Sequence, residues 1–318
     1  MKIPSKLSLA NIPTPVQNIN FDGCNFLIKR DDFTGVELTG NKVRKLEYLL
    51  YDAKKNKCDH IFTSGGDQSN HARATCIAAT SLGFKSKLFL WGNQNQNADG
   101  NLFLDKLTGT DIKFLTKKEY KNVYNIMVEE SELLKSKKRK AYVIPSGGSS
   151  TVGIWGYINF VKELSQQVDL KKVKGIVFAN GSAGTASGVL LGAALLGINL
   201  KIFPVIVLDT KEQVYNEIEI LTSECVNEFG LDIKVNMKNV EIIEGYSEEG
   251  YKNISPDKIK LINQFFTKTG ILLDPTYTGK AFSAYFENFI KGKKKSKFLF
   301  LHTGGIFGAF AKKKNYLD

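Results

Sequence analysis

Cysteine and histidine are scarce in this chain: four cysteines, Cys24, Cys58, Cys76 and Cys225, and three histidines, His60, His71 and His302, in 318 residues. No Cys-x-x-Cys pair occurs and no two histidines sit at ligand spacing, so neither a metal site nor a disulfide framework is expected. Long apolar runs are missing as well. No stretch approaches the length that crosses a bilayer, and the opening Met1-Lys2-Ile3-Pro4-Ser5-Lys6 has no apolar segment behind its charges. The expectation is a cytoplasmic protein with no membrane partner. Internal repeats are absent, and the only biased segments are two lysine runs, 135–140 and 291–297. Acidic residues are outnumbered 44 to 32, for a formal charge of +12. Much of that excess lies in the two runs, which fall between periodic segments and lack interleaved aromatics, so solvated loops are expected rather than a nucleic-acid surface.

What the chain does contain, at 42% hydrophobic residues, is enough apolar material for two lobes. Strand patterns at 26–30, 61–64, 87–91, 112–115 and 142–144 alternate with helical patterns starting at Lys42 and covering 70–82, 98–107 and a long polar stretch into the first lysine run. A second series follows Pro145-Ser146-Gly147-Gly148-Ser149: a helix through Trp155 and Phe160, strands at 175–179, 202–207, 240–243 and 298–302, and helices at 185–196, up to Phe229, and 256–268. Such alternation is the signature of parallel sheets built from βαβ units, here two open α/β units.

Three strands run into polar or glycine-rich loops of one kind: Gly65-Gly66-Asp67-Gln68-Ser69-Asn70, Gly181-Ser182-Ala183-Gly184-Thr185, and His302-Thr303-Gly304-Gly305. Ligands of open parallel sheets bind where such loops converge. The Gly181 loop combines approachable backbone N–H groups, two hydroxyls and a following helix N-terminus, which suits a phosphate; close helix packing explains the same glycines equally well. Asp209, ending the next strand, keeps a nucleotide-binding protein or oxidoreductase open as an alternative. The stretch Gly40-Asn41-Lys42-Val43-Arg44-Lys45-Leu46-Glu47 puts Lys42 at a helix start, with apolar residues at 43, 46, 49, 50 and 53. An exposed lysine is the ordinary interpretation, but the positive end of a helix also favours a neutral, nucleophilic amine. A phosphate loop with such a lysine and no metal ligands suggests pyridoxal phosphate, whose aldehyde needs an amine.

With Gln68-Ser69-Asn70-His71, Leu273-Asp274-Pro275-Thr276-Tyr277-Thr278-Gly279-Lys280 and His302-Thr303-Gly304-Gly305, these motifs run in order from about Pro13 to Gly305. Together they resemble the D-cysteine desulfhydrase and 1-aminocyclopropane-1-carboxylate (ACC) deaminase family of pyridoxal-phosphate enzymes. The resemblance implies the tryptophan-synthase-β-like fold (fold type II), with residues 1–46 and 150–318 as a discontinuous large domain and 47–149 as a small one. It implies that Lys42, not Lys45, links to the cofactor, that Asn70 bonds its phenolic oxygen, and that Gly181, Ser182, Ala183, Gly184 and Thr185 hold its phosphate. Ser69 with Gln68 would meet the substrate carboxylate, Tyr277 would act as an acid/base or orienting group, and Tyr251 would line the pocket. Thr278 and Thr303 stand where the deaminase pattern has Glu and Leu, which matches the desulfhydrase branch. A neutral hydroxyl makes the cofactor ring a weaker electron sink than a carboxylate does, and expelling a thiolate needs less of one than opening a cyclopropane. The expectation is a homodimeric lyase acting on the small amino acid D-cysteine, with ACC or a relative such as cysteate as alternatives. Asp67, Ser150 and Ile306-Phe307 depart from the family pattern.

Overall fold

The computed structural model describes residues 2–94 and 98–317; Met1, at the head of the opening segment considered above, residues 95–97 within the predicted small domain, and Asp318 lie outside the described residues. Pairing begins at an Asp-Gly turn. Asp22 and Gly23 take positive φ, 52° and 73°, as a two-residue hairpin loop requires. They join β1 (Val16–Phe21) to β2 (Cys24–Arg30) in antiparallel register, Val16 opposite Lys29 and Phe21 opposite Cys24. The strand pattern at 26–30 misses β1, because Asn18 and Asn20 dilute its β-forming residues.

After α1 (Asn41–Lys55) come β3 (His60–Gly66), α2 (Asn70–Ser81), β4 (Lys85–Trp91), α3 (Gly100–Leu107), β5 (Asp111–Leu115), α4 (Lys117–Tyr120), α5 (Val123–Lys135) and β6 (Ala141–Val143). Their strands form a parallel sheet in the order β5-β4-β3-β6. The long polar helix expected here is two helices: Thr116 and Glu119 close a capping box ahead of α4, and Asn122, outside helical geometry, separates it from α5.

The remaining chain runs α6 (Trp155–Gln167), β7 (Gly175–Asn180), α7 (Gly184–Leu195), β8 (Lys201–Ile206), α8 (Lys211–Phe229), α9 (Pro256–Thr269), α10 (Thr278–Tyr285), β9 (Lys295–His302), α11 (Ile306–Ala311) and α12 (Lys314–Leu317). The second sheet has the order β1-β2-β9-β7-β8, parallel except for β1. Both its faces are covered: Phe160, Val189, Leu190 and Ile218 pack on one side and Phe265, Phe282 and Tyr285 on the other. Gly188 and Gly192 let α7 lie directly on α6, since a Cβ at either would come within 2.7 Å of the Ile154 or Ile158 carbonyl oxygen.

The strand expected at 240–243 is not a full strand. Only two bridges form beside β8, Ile202 with Val240 and Val205 with Ile243. Glu241 and Ile243 donate to the carbonyls of Ile202 and Pro204, but Pro204 has no N–H to return to that edge, so the ladder is broken there. Helix α1 touches both sheets' layers. Leu46, Leu49, Leu50 and Ala53 pack with Ile61, Ala74 and Ala78, while Tyr48 packs with Trp155 and Ile158. Among the described residues, no helix is long and apolar enough to cross a membrane.

Candidate active site

The start of α1 is fixed by a backbone-to-backbone contact. Gly40 and Gly304 both have φ 95°. A Cβ on Gly40 would lie 3.0 Å from the Thr303 carbonyl oxygen, and one on Gly304 2.7 Å from the Gly40 Cα. Glycine at both positions lets Asn41 N donate to Thr303 O at 3.0 Å, which pins Lys42 beside the carboxyl end of β9. Arg44 anchors the same turn from below. It donates to Asp31 at 2.8 and 2.9 Å and to Glu163 at 2.8 Å, and Tyr157 donates to Asp31 at 2.6 Å. Burial pushes the Asp31 carboxyl up, but Arg44, Lys29 and Tyr157 together hold it below the usual carboxylate range.

Loops from both sheets enclose a cavity of about 590 Å³ into which Lys42, Ser69, Asn70, Gly181, Ser182, Ala183, Tyr251, Tyr277 and Thr303 all project. Lys42 Nζ has no hydrogen-bond or ion-pair partner among the described residues, and burial pushes its amine down to about 8. One helical turn on, Lys45 is fully buried. Burial, with the neighbouring Lys42 amine, holds it well below the ordinary lysine value.

Lys45 belongs to the anion-binding end of the site. Its Nζ donates to Gly147 O at 3.1 Å and lies 3.5 Å from Ser149 Oγ. Ser149 in turn donates to Ser182 Oγ at 2.9 Å and accepts from Gly184 N at 3.1 Å. A Cβ at Gly184 would fall 2.7 Å from the Lys45 amine. Backbone N–H, hydroxyls and the Lys45 amine therefore converge at the N-terminus of α7, a donor set matched to a phosphate. Thr185 stands behind this cradle, buried, with its hydroxyl accepting from Asn41 Nδ2 at 3.2 Å. Neither Lys45 nor Ser149 is among the residues expected from sequence. The Pro145-Ser146-Gly147-Gly148-Ser149 run is a fourth glycine-bearing loop after a strand, and that pattern could have singled out Ser149.

At the other end, Ser69 caps α2 by accepting from Ala72 N at 3.1 Å, a contact worth about 1 kcal/mol, and this leaves its own proton free. The Oδ1 of Asn70 is buried without a partner. Tyr251 and Tyr277 share a short hydroxyl-to-hydroxyl hydrogen bond, and burial pushes both phenols up, so each keeps its proton at neutral pH. Gln68 is not brought into this cavity. Its amide serves α3, donating to Asp99 O at 2.9 Å and accepting from Asn101 N at 3.0 Å, and it lines a smaller adjoining cavity with Asn70, Tyr251 and Tyr277. Thr278 is fully buried: its hydroxyl donates to Asp274 Oδ1 at 2.7 Å and accepts from Asp274 N at 2.8 Å.

The profile of the pyridoxal-phosphate dependent enzyme family matches residues 7–304. The chain is 35% identical to the bifunctional D-cysteine desulfhydrase/1-aminocyclopropane-1-carboxylate deaminase of Arabidopsis thaliana, described as mitochondrial, over 96% of this chain and 79% of that one. It is 38% identical to a putative 1-aminocyclopropane-1-carboxylate deaminase of Thermotoga maritima, over 97% of this chain and 99% of that one. Among solved structures, an ACC deaminase homologue superposes with a TM-score of 0.90 at 36% identity, covering 99% of this chain and 96% of the other.

Proposed function

The chain belongs to the pyridoxal-phosphate-dependent enzyme family, with its fold type II architecture, and from that premise we propose that it is a carbon–sulfur lyase converting D-cysteine to pyruvate, hydrogen sulfide and ammonia. Pyridoxal phosphate is its cofactor. Support for placing it in the cavity described comes from the unpartnered Lys42 amine, the orphaned Asn70 Oδ1 and the donors gathered around Ser149. We also take the two sheets as the cores of two domains, 1–46 with 150–318 and 47–149, with α1 as their shared wall.

When bound, this cofactor supplies an aldehyde that captures amines and a ring that draws electrons from the substrate's Cα. Lys42 would be the amine that holds that aldehyde, and it would also serve as the base for the substrate's α-proton, a role that an amine pushed down to about 8 suits. Lys45, Ser149, Ser182 and the Gly184 N–H would hold the phosphate, and the Asn70 amide would be available to the phenolic oxygen. Ser69 donates its free proton to the substrate carboxylate, and Tyr277, steadied by Tyr251, orients the reacting carbon. Thiolate leaves from Cβ, and the released enamine hydrolyses to pyruvate and ammonia.

The observation that carries elimination over ring opening is Thr278, an uncharged residue at the first position of α10. A second reading, ACC deamination, draws support from the names of both relatives and from Asp274, a carboxylate one hydrogen bond behind Thr278. The test is stoichiometry: D-cysteine should yield pyruvate and sulfide in equal amounts, and Lys42→Ala should yield neither. Sulfide without pyruvate, or full activity in Lys42→Ala, would overturn the proposal.

A further inference from the structure

The substrate end of the cavity is walled by groups from both sheets. The loop after β3 contributes Ser69 and Asn70, with Asp67 just before them, and β4 ends at Trp91. From the opposite side, the segment between α8 and α9 contributes Tyr251 and Lys252. That segment is fastened at its base, where the buried Lys280 donates to Gly250 O at 2.7 Å. Its tip crosses the cleft: Lys252 Nζ lies 2.7 Å from Asp67 Oδ1 and 4.7 Å from the centre of the Trp91 ring. Tyr251, the residue before it, has its ring 5.9 Å from Trp91 and 5.6 Å from Tyr277.

The receiving side is built to hold the carboxylate still. Asp67 N donates to Trp91 O at 2.9 Å, and Asn93 N donates to Asp67 Oδ2 at 3.0 Å. A Cβ at Gly92 would fall 2.4 Å from that same oxygen, so the glycine makes room for it. Asp67 cannot follow Lys252 outward without losing these bonds. The Lys252 side chain is 33% exposed and that of Asp67 13%, so the pair is partly shielded yet open to salt.

We propose that Asp67 and Lys252 are positioning residues whose ion pair straps the Tyr251 segment to the Ser69–Asn70 loop and holds the cavity closed over a bound amino acid. Asp67 receives the strap, and Lys252 is its partner across the cleft. The pair touches no reacting atom. It stabilises the closed arrangement, so its loss weakens substrate binding more than turnover. That last statement rests on the lyase reading; the closure itself does not.

Fluorescence separates the two. The chain has two tryptophans, so Trp155→Phe leaves Trp91, beneath Lys252, as the only reporter. In the cofactor-loaded protein on that background, Asp67→Asn and Lys252→Met should each raise acrylamide quenching of Trp91 about twofold, the loss of a half-shielded ion pair. Lys252→Arg should leave it unchanged. Raising NaCl to about 1 M, where the screening length is roughly 3 Å, should move the parent toward Asp67→Asn and leave Asp67→Asn itself unmoved. For D-cysteine, KM should rise roughly three- to tenfold in Asp67→Asn and Lys252→Met with kcat within about twofold, and Lys252→Arg should restore KM. Quenching unchanged in Asp67→Asn, or kcat falling at constant KM, would overturn the strap. If the parent leaves D-cysteine untouched, the substrate reading falls and the quenching arm alone decides the strap.

Discussion

Lys42 carries a cost that its chemistry explains. An amine pushed by burial to about 8 takes up its proton less readily in the folded chain than in the unfolded one, where lysine titrates near about 10.4. Between those values the unfolded state binds more protons, so the contribution of Lys42 to stability rises with pH and is smallest below about 8, where both states are protonated. Lys42→Met should therefore stabilise the cofactor-free protein at pH near 7, and the gain should shrink as pH climbs toward about 10; urea unfolding of both proteins at the two pH values measures it. A gain independent of pH would mean that the amine is not perturbed. Lys45 has the same side chain but a different place. Borohydride reduction of the loaded protein should fix cofactor to the peptide holding Lys42, and Lys45→Ala should keep that label while weakening cofactor binding, read by titration. A label on Lys45 would exchange their roles.

At the scale of elements, α1 is held by charge beneath its first turn and by apolar contacts along its length. Arg44, Asp31, Glu163 and Lys29 form a neutral buried cluster, and removing one partner leaves an uncompensated charge. Arg44→Met should cost about 3–5 kcal/mol in urea unfolding, and Arg44→Lys less. Burial pushes both carboxyls up, but their cationic partners more than offset this and hold Asp31 and Glu163 below their ordinary values. Such groups stabilise above the unfolded carboxylate values, about 4, and the benefit is lost as pH falls through the lowered folded values. Glu163→Gln should flatten the acid limb of a Tm-versus-pH curve; an unchanged limb would place the acid sensitivity elsewhere. Sequence announced α1 clearly, because a Gly-Asn turn precedes a clean 3.6-residue apolar period. It was silent on Pro204 as an interrupter of a neighbouring strand, since a missing N–H matters only once the pairing partner is known. β1 was hidden by its asparagines although Asp22-Gly23 stood next to it.

For the molecule as a whole, the alternation of strands and helices and the motifs quoted in order were enough to reach two parallel sheets and a pyridoxal-phosphate family. Residues converging on the cavity were legible where a loop follows a strand, as for Ser69, Asn70 and Gly181. Lys45 and Ser149 were not, because in a sequence a buried lysine looks like any other and its acceptors lie about a hundred positions away. Gln68 shows the reverse. Its motif points to substrate, while its amide is committed to α3 by packing that no local pattern encodes. The choice between eliminating thiolate and opening a cyclopropane rests on Thr278, with Asp274 behind it, and one vessel decides it. With D-cysteine and 1-aminocyclopropane-1-carboxylate present at equal concentration, chromatography of the keto acids formed by the loaded protein should show pyruvate in large excess over 2-oxobutyrate. Predominant 2-oxobutyrate would contradict the account and make the protein a deaminase.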